Sequence, residues 1–500
     1  MPPSPAAPAA PAAPAALAAP AAPAVLAAPA AGALGGAQAL AGLARLARLD
    51  LEGLVVGLEE RGAPWAAWRE GGAVWVCAGG EPHAEDSHAA VAAALDAPPD
   101  AAPLATGGAA AGEGWRGLPR ALVSLSFDER RAGEGEAWGR GGLAWVPALC
   151  LVVGEGAGPL GALEGFGVAV WEGGEGCLEV AERLNKKAAT AHAAAAHAAA
   201  AHAVTAAHAA TAHALSDTEE SWSARVRAAE ALCAAGALEK VVLARSAEAR
   251  APAAARWSAA RTWLAHLAAS PADVTPFALC PRPTEALVGA TPERLFSLRG
   301  AELRTHALAG TAQRAPANAA DAAIAARLLA DPKERREHAL VVEALREQLS
   351  ALPLRAPLEV GETRPRALPT LWHLETPLRA SLAAAQAPSR LLLALHPTPA
   401  LGGRPRGAAL EHLRGREPLA RGAYGAPWAW ADLGGRVEAH VAIRAALLTP
   451  ARATLYAGAG VVAGSSPGRE WRETEAKLRP ALAALRAAPE GRAEHNLRAA

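Results

Sequence analysis

Residues able to do chemistry together crowd the last third of the chain. Glu470, Glu473 and Lys477 recur at i, i+3 and i+7 behind Ser466 and Pro467, a good N-cap followed by a residue suited to the first helical position. That spacing puts two carboxylates and an ammonium on one helical face. Just upstream, Gly458, Ala459 and Gly460 let backbone N–H groups approach a ligand that larger side chains would push away. A second acidic pair, Glu334 and Glu337, follows Asp331 and Pro332 and opens onto the apolar-periodic run from Ala339 to Leu352. Two helices that each offer carboxylates three residues apart can surround one hard cation. Oxygen ligands completed by water and an anionic substrate suit magnesium. The chain has no Cys-x-x-Cys or His-Glu-x-x-His spacing for a softer metal.

Two further residues could move protons. The run KVVLAR from Lys240 to Arg245 reads as a strand on which Lys240 shares a face with Val242 and Ala244. A lysine turned inward is either paired or readily deprotonated, and the second state makes it a base near neutral pH. The run GATPER from Gly289 to Arg294 is a tight turn into a strand from Phe296 to Leu298, with Glu293 at its start. A carboxyl held in such a turn can act as a general acid when its surroundings raise its pKa. Taken singly, each of these charges also fits a solvated surface residue, and Glu473 with Lys477 an ordinary i, i+4 pair. The glycines ahead of the Lys477 helix shift the balance toward a site, with Arg444 adding fixed positive charge.

From about Ser216 to Leu485 these pieces resemble the chorismate-utilising enzymes, and among them the isochorismate synthases. The matching segments are KVVLAR (240–245), GATPER (289–294), ALAGT (307–311), KERREH (333–338), His373 with Leu374, HPTPALGG (396–403), VAIR (441–444), and EWRE (470–473) with Lys477. The resemblance implies an α+β fold like anthranilate synthase component I, with two stacked, largely antiparallel sheets wrapped by helices and the site in the cleft between halves. It implies a magnesium-dependent isomerisation in which water adds at C2 of chorismate and the C4 hydroxyl leaves. Lys240 matches the residue that activates the water, and Glu293 the one that protonates the departing hydroxyl. Glu337 and Glu473 match the principal metal ligands, with Glu334 and Glu470 beside them. Ala309, Gly310, Thr311, His373, Ala400, Tyr424, Arg444, Gly458, Ala459, Gly460 and Lys477 match substrate-binding positions.

The nucleophile rests on fewer residues. Ala400 stands where amine-using and salicylate-forming relatives tend to carry Thr or Ser, and Ala309 where aminodeoxychorismate synthases tend to carry Lys. Water is therefore the expected nucleophile. Salicylate synthase, an amine transferase like anthranilate synthase component I, and a non-catalytic chorismate-binding homologue are the alternatives. His306 departs from a glutamate common in the family, a change that could alter loop hydrogen bonding without touching the metal. By the same analogy the enzyme is expected to be a monomer without an obligatory glutaminase subunit. Its product would enter menaquinone or siderophore synthesis.

The elements that must hold these residues are legible as periodicity. Strand signals fall at Val241–Ala247, Ala286–Gly289, Leu295–Leu298, Leu303–Leu308, Ala439–Leu447 and Ala453–Gly458. Helical signals fall near Ala224–Cys233, Ala317–Leu352, Arg406–Leu413 and Pro467–Ala487. Short turns between strands and grouped helices predict an α+β chain with mostly antiparallel pairing. Ahead of residue 186 the runs Ala73–Ala78, Ala121–Phe127, Leu143–Val153 and Gly167–Trp171 read as strands between Gly-rich turns. The expected organisation is an Ala/Pro-rich disordered extension (1–37), a structural half (38–185), an Ala/His-rich insertion (186–216), a catalytic region (217–488) and a tail (489–500).

Composition sets the remaining bounds. Lys plus Arg number 49 against 49 Asp plus Glu, so no global field favours nucleic acid or another polyanion. Five scattered cysteines without a framework spacing read as free thiols in a reducing cytoplasm. No apolar run free of Pro, Gly and charge reaches membrane-spanning length. His192, His197, His202, His208 and His213 are spaced by five and six residues, which turns them around a helix rather than along one face, and so argues against a metal site there.

Overall fold

A computed structural model of the chain describes residues 51–488, apart from 97–104, 109–118, 131–141, 155–165, 171–211 and a few shorter gaps. The Ala/Pro extension, the tail and the tract histidines 192, 197, 202 and 208 lie outside the described residues. Every strand pairing among the described residues is antiparallel, and the strands form two sheets. The first runs in the order Gly403–Arg404, Lys240–Arg250, Arg452–Val461, Ala445–Leu448, Glu285–Thr291, Thr275–Arg282, Trp65–Glu70, Ala73–Ala78, Leu149–Gly154, Phe166–Val170, Ala105–Gly108. The second runs Glu359–Val360, Leu371–Ser381, Glu302–Gln313, Arg294–Arg299, Val437–Val441, Pro427–Asp432, Pro119–Leu125, Gly142–Trp145, His83–Glu85. Segments from early and late in the sequence thus share both sheets.

The sheets meet face to face over a layer rich in tryptophan. Trp68 and Trp75 from the first sheet pack against Trp428 and Trp430 from the second, together with Phe277, Leu287 and Leu447. The Trp68 ring centroid lies 6.0 Å from that of Trp75, 5.9 Å from Trp428 and 5.8 Å from Trp430. Each indole removes ~150–250 Å² from water, worth about 4–6 kcal/mol at ~25 cal/mol per Å². On the outer side of the first sheet, Trp263, Leu267, Leu478, Ala481 and Leu485 from the helices Ala259–Ala269 and Pro467–Ala487 pack on Ala247, Val288 and Leu455. Among the described residues no helix is long and apolar enough to cross a membrane.

Four expected elements are cut differently. The helical run over 317–352 is two helices, Asn318–Ala330 and Pro332–Ser350, because Asp331 takes an extended backbone and caps the second with its side chain. The strand expected over 439–447 is also two, Val437–Val441 and Ala445–Leu448, one in each sheet, with Arg444 at φ 54° between them. The run 143–153 divides in the same way into Gly142–Trp145 and Leu149–Gly154. Mostly apolar residues run across both breaks, marked only by Pro147 and Arg444, so the pattern alone hides a change of sheet. Finally, Ala212–Leu215, at the end of the expected Ala/His-rich insertion (186–216), is a strand paired with Lys240–Arg250.

Candidate active site

The site lies where the chain passes from one sheet to the other. Glu285–Thr291 belongs to the first sheet and Arg294–Arg299 to the second, so Pro292 and Glu293 form the crossing. Ala442, Ile443 and Arg444 form another crossing between Val437–Val441 and Ala445–Leu448. The two are hydrogen-bonded to each other: Val441 N–H donates to Glu293 O at 3.0 Å and Ala290 N–H to Arg444 O at 3.3 Å. This pairing fixes an acid and a guanidinium side by side. They open on a pocket of about 630 Å³, counting its solvent mouth.

Lys240 lines the same pocket from the start of the Lys240–Arg250 strand. Its Nζ is 2.9 Å from Glu337 Oε1, and the lysine is 1% exposed. The inward lysine is therefore a paired one. Gly460, paired with Val242 on the neighbouring strand, lies against it, and a Cβ there would stand 2.1 Å from Glu337 Oε1 and 2.9 Å from Lys240 Cε. The glycine gives this ion pair its room. Gly403, at φ +144°, plays a similar part on the neighbouring edge, where a Cβ would meet Lys240 O at 2.3 Å. Arg421 ties that edge down by donating to Leu401 O and Val242 O while pairing with Glu417.

Glu293 is buried, and burial pushes its carboxyl up to about 7, against the opposing pull of Lys240, Lys477 and Arg444. Arg444 Nη2 donates to His373 Nε2 at 3.0 Å, which leaves His373 Nδ1–H for Gly310 O at 3.0 Å. Burial, with Arg444 close by, holds that imidazole neutral, well below the usual histidine range. Arg444 Nη1 is buried and makes no hydrogen bond within the protein. Tyr424 stacks on Tyr456 at 4.9 Å, and its hydroxyl lies against Gly458.

The four glutamates come together as their spacing implied. Glu337 and Glu473 line the pocket, and Glu334 and Glu470 sit behind them, 1% and 0% exposed. Lys333 reaches into the group, with Nζ 3.0 Å from Glu470 Oε1, 3.2 Å from Glu334 Oε1 and 3.7 Å from Glu337 Oε2. Glu334 also accepts from Thr311 N–H at 2.8 Å. Burial works against ionising Glu337 and Glu473, yet Lys240 and Lys333 hold the first below the usual carboxylate range, and Lys477 and Lys333 the second. Glu470, by contrast, is pushed up to about 7 by burial and by Glu473. Its Oε2 is buried without a hydrogen bond. A concentration of hard oxygens, short of positive charge at that atom, fits a divalent cation of the magnesium kind.

Of the expected substrate positions, Ala309, Gly310, Thr311, His373, Ala400, Tyr424, Arg444, Gly458, Gly460 and Lys477 line the pocket. Gly310, at φ +76°, sits at a bulge between Ala309 and Thr311, which lets both neighbours reach the same cavity. Ala459 does not line it: strand alternation turns its side chain into the core beside Leu243 and Val461. Ser466 starts the Pro467–Ala487 helix without a side-chain cap; its carbonyl takes Glu470 N–H instead. Lys477 donates to Gly458 O at 2.8 Å and pairs with Glu473 at 2.6 Å. The sequence reading missed Tyr456, Leu308 and Ile443 as lining residues. Tyr456 carried a signal, since the chain has only two tyrosines and the other was already a candidate.

Comparison with known proteins agrees with this geometry. A family model described as chorismate binding enzyme matches residues 114–486. The salicylate biosynthesis isochorismate synthase of Pseudomonas aeruginosa is 44% identical over 268 residues, 53% of this chain and 55% of that protein. Isochorismate synthase EntC of Escherichia coli K12 is 41% identical over 196 residues, 38% of this chain and 49% of that protein. The chain thus spans about half the length of these curated relatives. Likeness of fold extends further: the solved structure of MenF, the menaquinone-specific isochorismate synthase from Escherichia coli, superposes with a TM-score of 0.62 at 24% identity, covering 84% of this chain and 88% of that one. With the family model running from residue 114 to residue 486, the chain belongs to the chorismate-binding enzymes.

Proposed function

We propose that this protein is an isochorismate synthase, isomerising chorismate by adding water at C2 and expelling the C4 hydroxyl as water. The observation that carries the reading is the presence, in one pocket, of a buried amine at Lys240 and a buried carboxyl at Glu293 held up to about 7. In its neutral form, released from the Glu337 pairing, Lys240 takes a proton from the attacking water. Glu293 gives one to the departing hydroxyl, while the ring double bonds shift between the two carbons. One water enters and one leaves, so atoms and charge balance. Arg444, with Nη1 free and His373 bracing Nη2, would grip a substrate carboxylate.

Glu337 and Glu473 would hold magnesium at the pocket wall, with Glu334 and Glu470 behind them. When bound there, magnesium would supply a double positive charge that fixes the ring carboxylate and competes with Lys240 for Glu337. The wall formed by Ala309 and Ala400 offers no hydroxyl or amine of its own to steer ammonia, which favours water as nucleophile. The buried free thiols at Cys233 and Cys280 fit a cytoplasmic enzyme, and we infer that it works without a glutaminase subunit. The test is product identification by chromatography after incubating purified protein with chorismate and magnesium. Isochorismate is expected without ammonia or a second protein, and none after chelation. Salicylate with pyruvate, anthranilate formed only with ammonia, or chorismate bound and recovered unchanged would each overturn the assignment.

A further inference from the structure

A second group of convergent ligand atoms lies outside the pocket and does not depend on the reaction proposed above. Glu70 ends the Trp65–Glu70 strand of the first sheet; Glu438 and His440 lie two apart on the Val437–Val441 strand of the second and so share a face. These residues are 8%, 0% and 2% exposed. One ligand atom from each lies within 4.8 Å of the other two. Glu70 Oε2, Glu438 Oε2 and His440 Nε2 are all buried without a hydrogen-bond partner.

The spacing of His440 and Glu70 suits an ion better than it suits a hydrogen bond. His440 Nε2 and Glu70 Oε2 are 3.6 Å apart, beyond normal hydrogen-bond reach. Two ligands at about 2.0–2.1 Å from a shared zinc ion stand roughly 3.3–3.6 Å apart at angles between tetrahedral and trigonal. The outer oxygens are already anchored. Arg436 Nη2 is 2.6 Å from Glu438 Oε1 and 3.4 Å from Glu70 Oε1, and Ser297 Oγ donates to Glu438 Oε1 at 2.7 Å. Trp428 stacks on the His440 ring at 4.8 Å. Contacts of this kind orient ligating side chains while leaving their inner atoms free.

We propose that Glu70, Glu438 and His440 form a site for one zinc-class divalent ion that clips the first sheet to the second. An imidazole nitrogen beside two carboxylate oxygens favours such a metal over magnesium. Arg294 Nη1, 3.9 Å from Glu438 Oε2, faces the free side, but that side chain is 42% exposed and can turn away. His440 also lines an adjoining polar cavity of about 1060 Å³, open mouth included, together with His306 and Arg294.

The experiment titrates chelator-stripped full-length protein with zinc in excess magnesium. Wild type is expected to bind one more equivalent than His440→Gln, and zinc is expected to slow amide hydrogen exchange in strands 65–70 and 437–441 of the wild type. Equal zinc binding by the two proteins overturns the site, whatever other histidines contribute to both. So does unchanged exchange in those two strands, a result that does not require the variant to fold.

Discussion

The amine and the acid of this pocket can be tested one residue at a time. Lys240→Ala removes the proposed base and is expected to lower kcat by about 10²–10⁴-fold with little change in circular dichroism; a variant retaining more than a tenth of wild-type kcat would rule out that role. Glu293 predicts a pH limb. Its carboxyl, held up to about 7 by burial, must be protonated to donate, so kcat/KM should fall as pH rises above about 7. The same shift has a stability sign. A folded pKa above the ordinary carboxyl value of 4.5 means the folded state binds more protons between those values, so this contribution is present below pH 4.5 and lost as pH rises to about 7. Glu293→Gln should therefore gain on wild type by up to about 3 kcal/mol across that window, read as the difference in Tm between pH 5 and pH 8. A difference that does not vary with pH would show the carboxyl to be unshifted.

At the scale of elements, the acid quartet depends on where helices begin. Asp331 accepts from Lys333 N–H at 2.9 Å and Glu334 N–H at 3.1 Å, and so sets the first turn, which carries Lys333 and Glu334 and leads into the turn of Glu337. Asp331→Ala is expected to cost ~1 kcal/mol in chemical denaturation and to weaken magnesium binding by calorimetry, since the loosened helix start holds one of the four carboxylates and positions a second. An unchanged affinity would mean that the Glu470 helix alone organises the site. That helix is held by Arg245, which donates to Thr474 Oγ1 at 2.7 Å and lies 3.8 Å over the Trp471 ring. Its bounds, Pro467–Ala487, were legible because Pro at the first position and the i, i+3, i+7 spacing mark the start locally. The break at Asp331 carried the same local mark, an Asp cap followed by Pro332, but a helical signal spanning 317–352 ran over it.

At the scale of the whole molecule, the two sheets bring together residues from Lys240 to Lys477, and the tryptophan layer holds them in register. Trp68→Ala should cost about 3–5 kcal/mol, seen as a lower Tm and, near the transition, as loss of activity in step with loss of fold. A drop in Tm that leaves Trp428 fluorescence and packing unchanged would place the coupling elsewhere.

The sequence by itself marked out the candidate residues for the chemistry, because carboxylate spacing, glycine placement and helix caps are local properties that motif order preserves. Lys240, Glu293, Arg444 and the glutamates of both helices were all legible there, as was the antiparallel α+β character. Tertiary structure alone decided how they meet. It paired Lys240 with Glu337, turned Ala459 into the core, and divided 439–447 between the two sheets so that Arg444 could lie beside Glu293. Those outcomes depend on contacts between segments as much as 220 residues apart, as Val241 and Val461 are, and side-chain alternation along one strand carries no record of which sheet it joins.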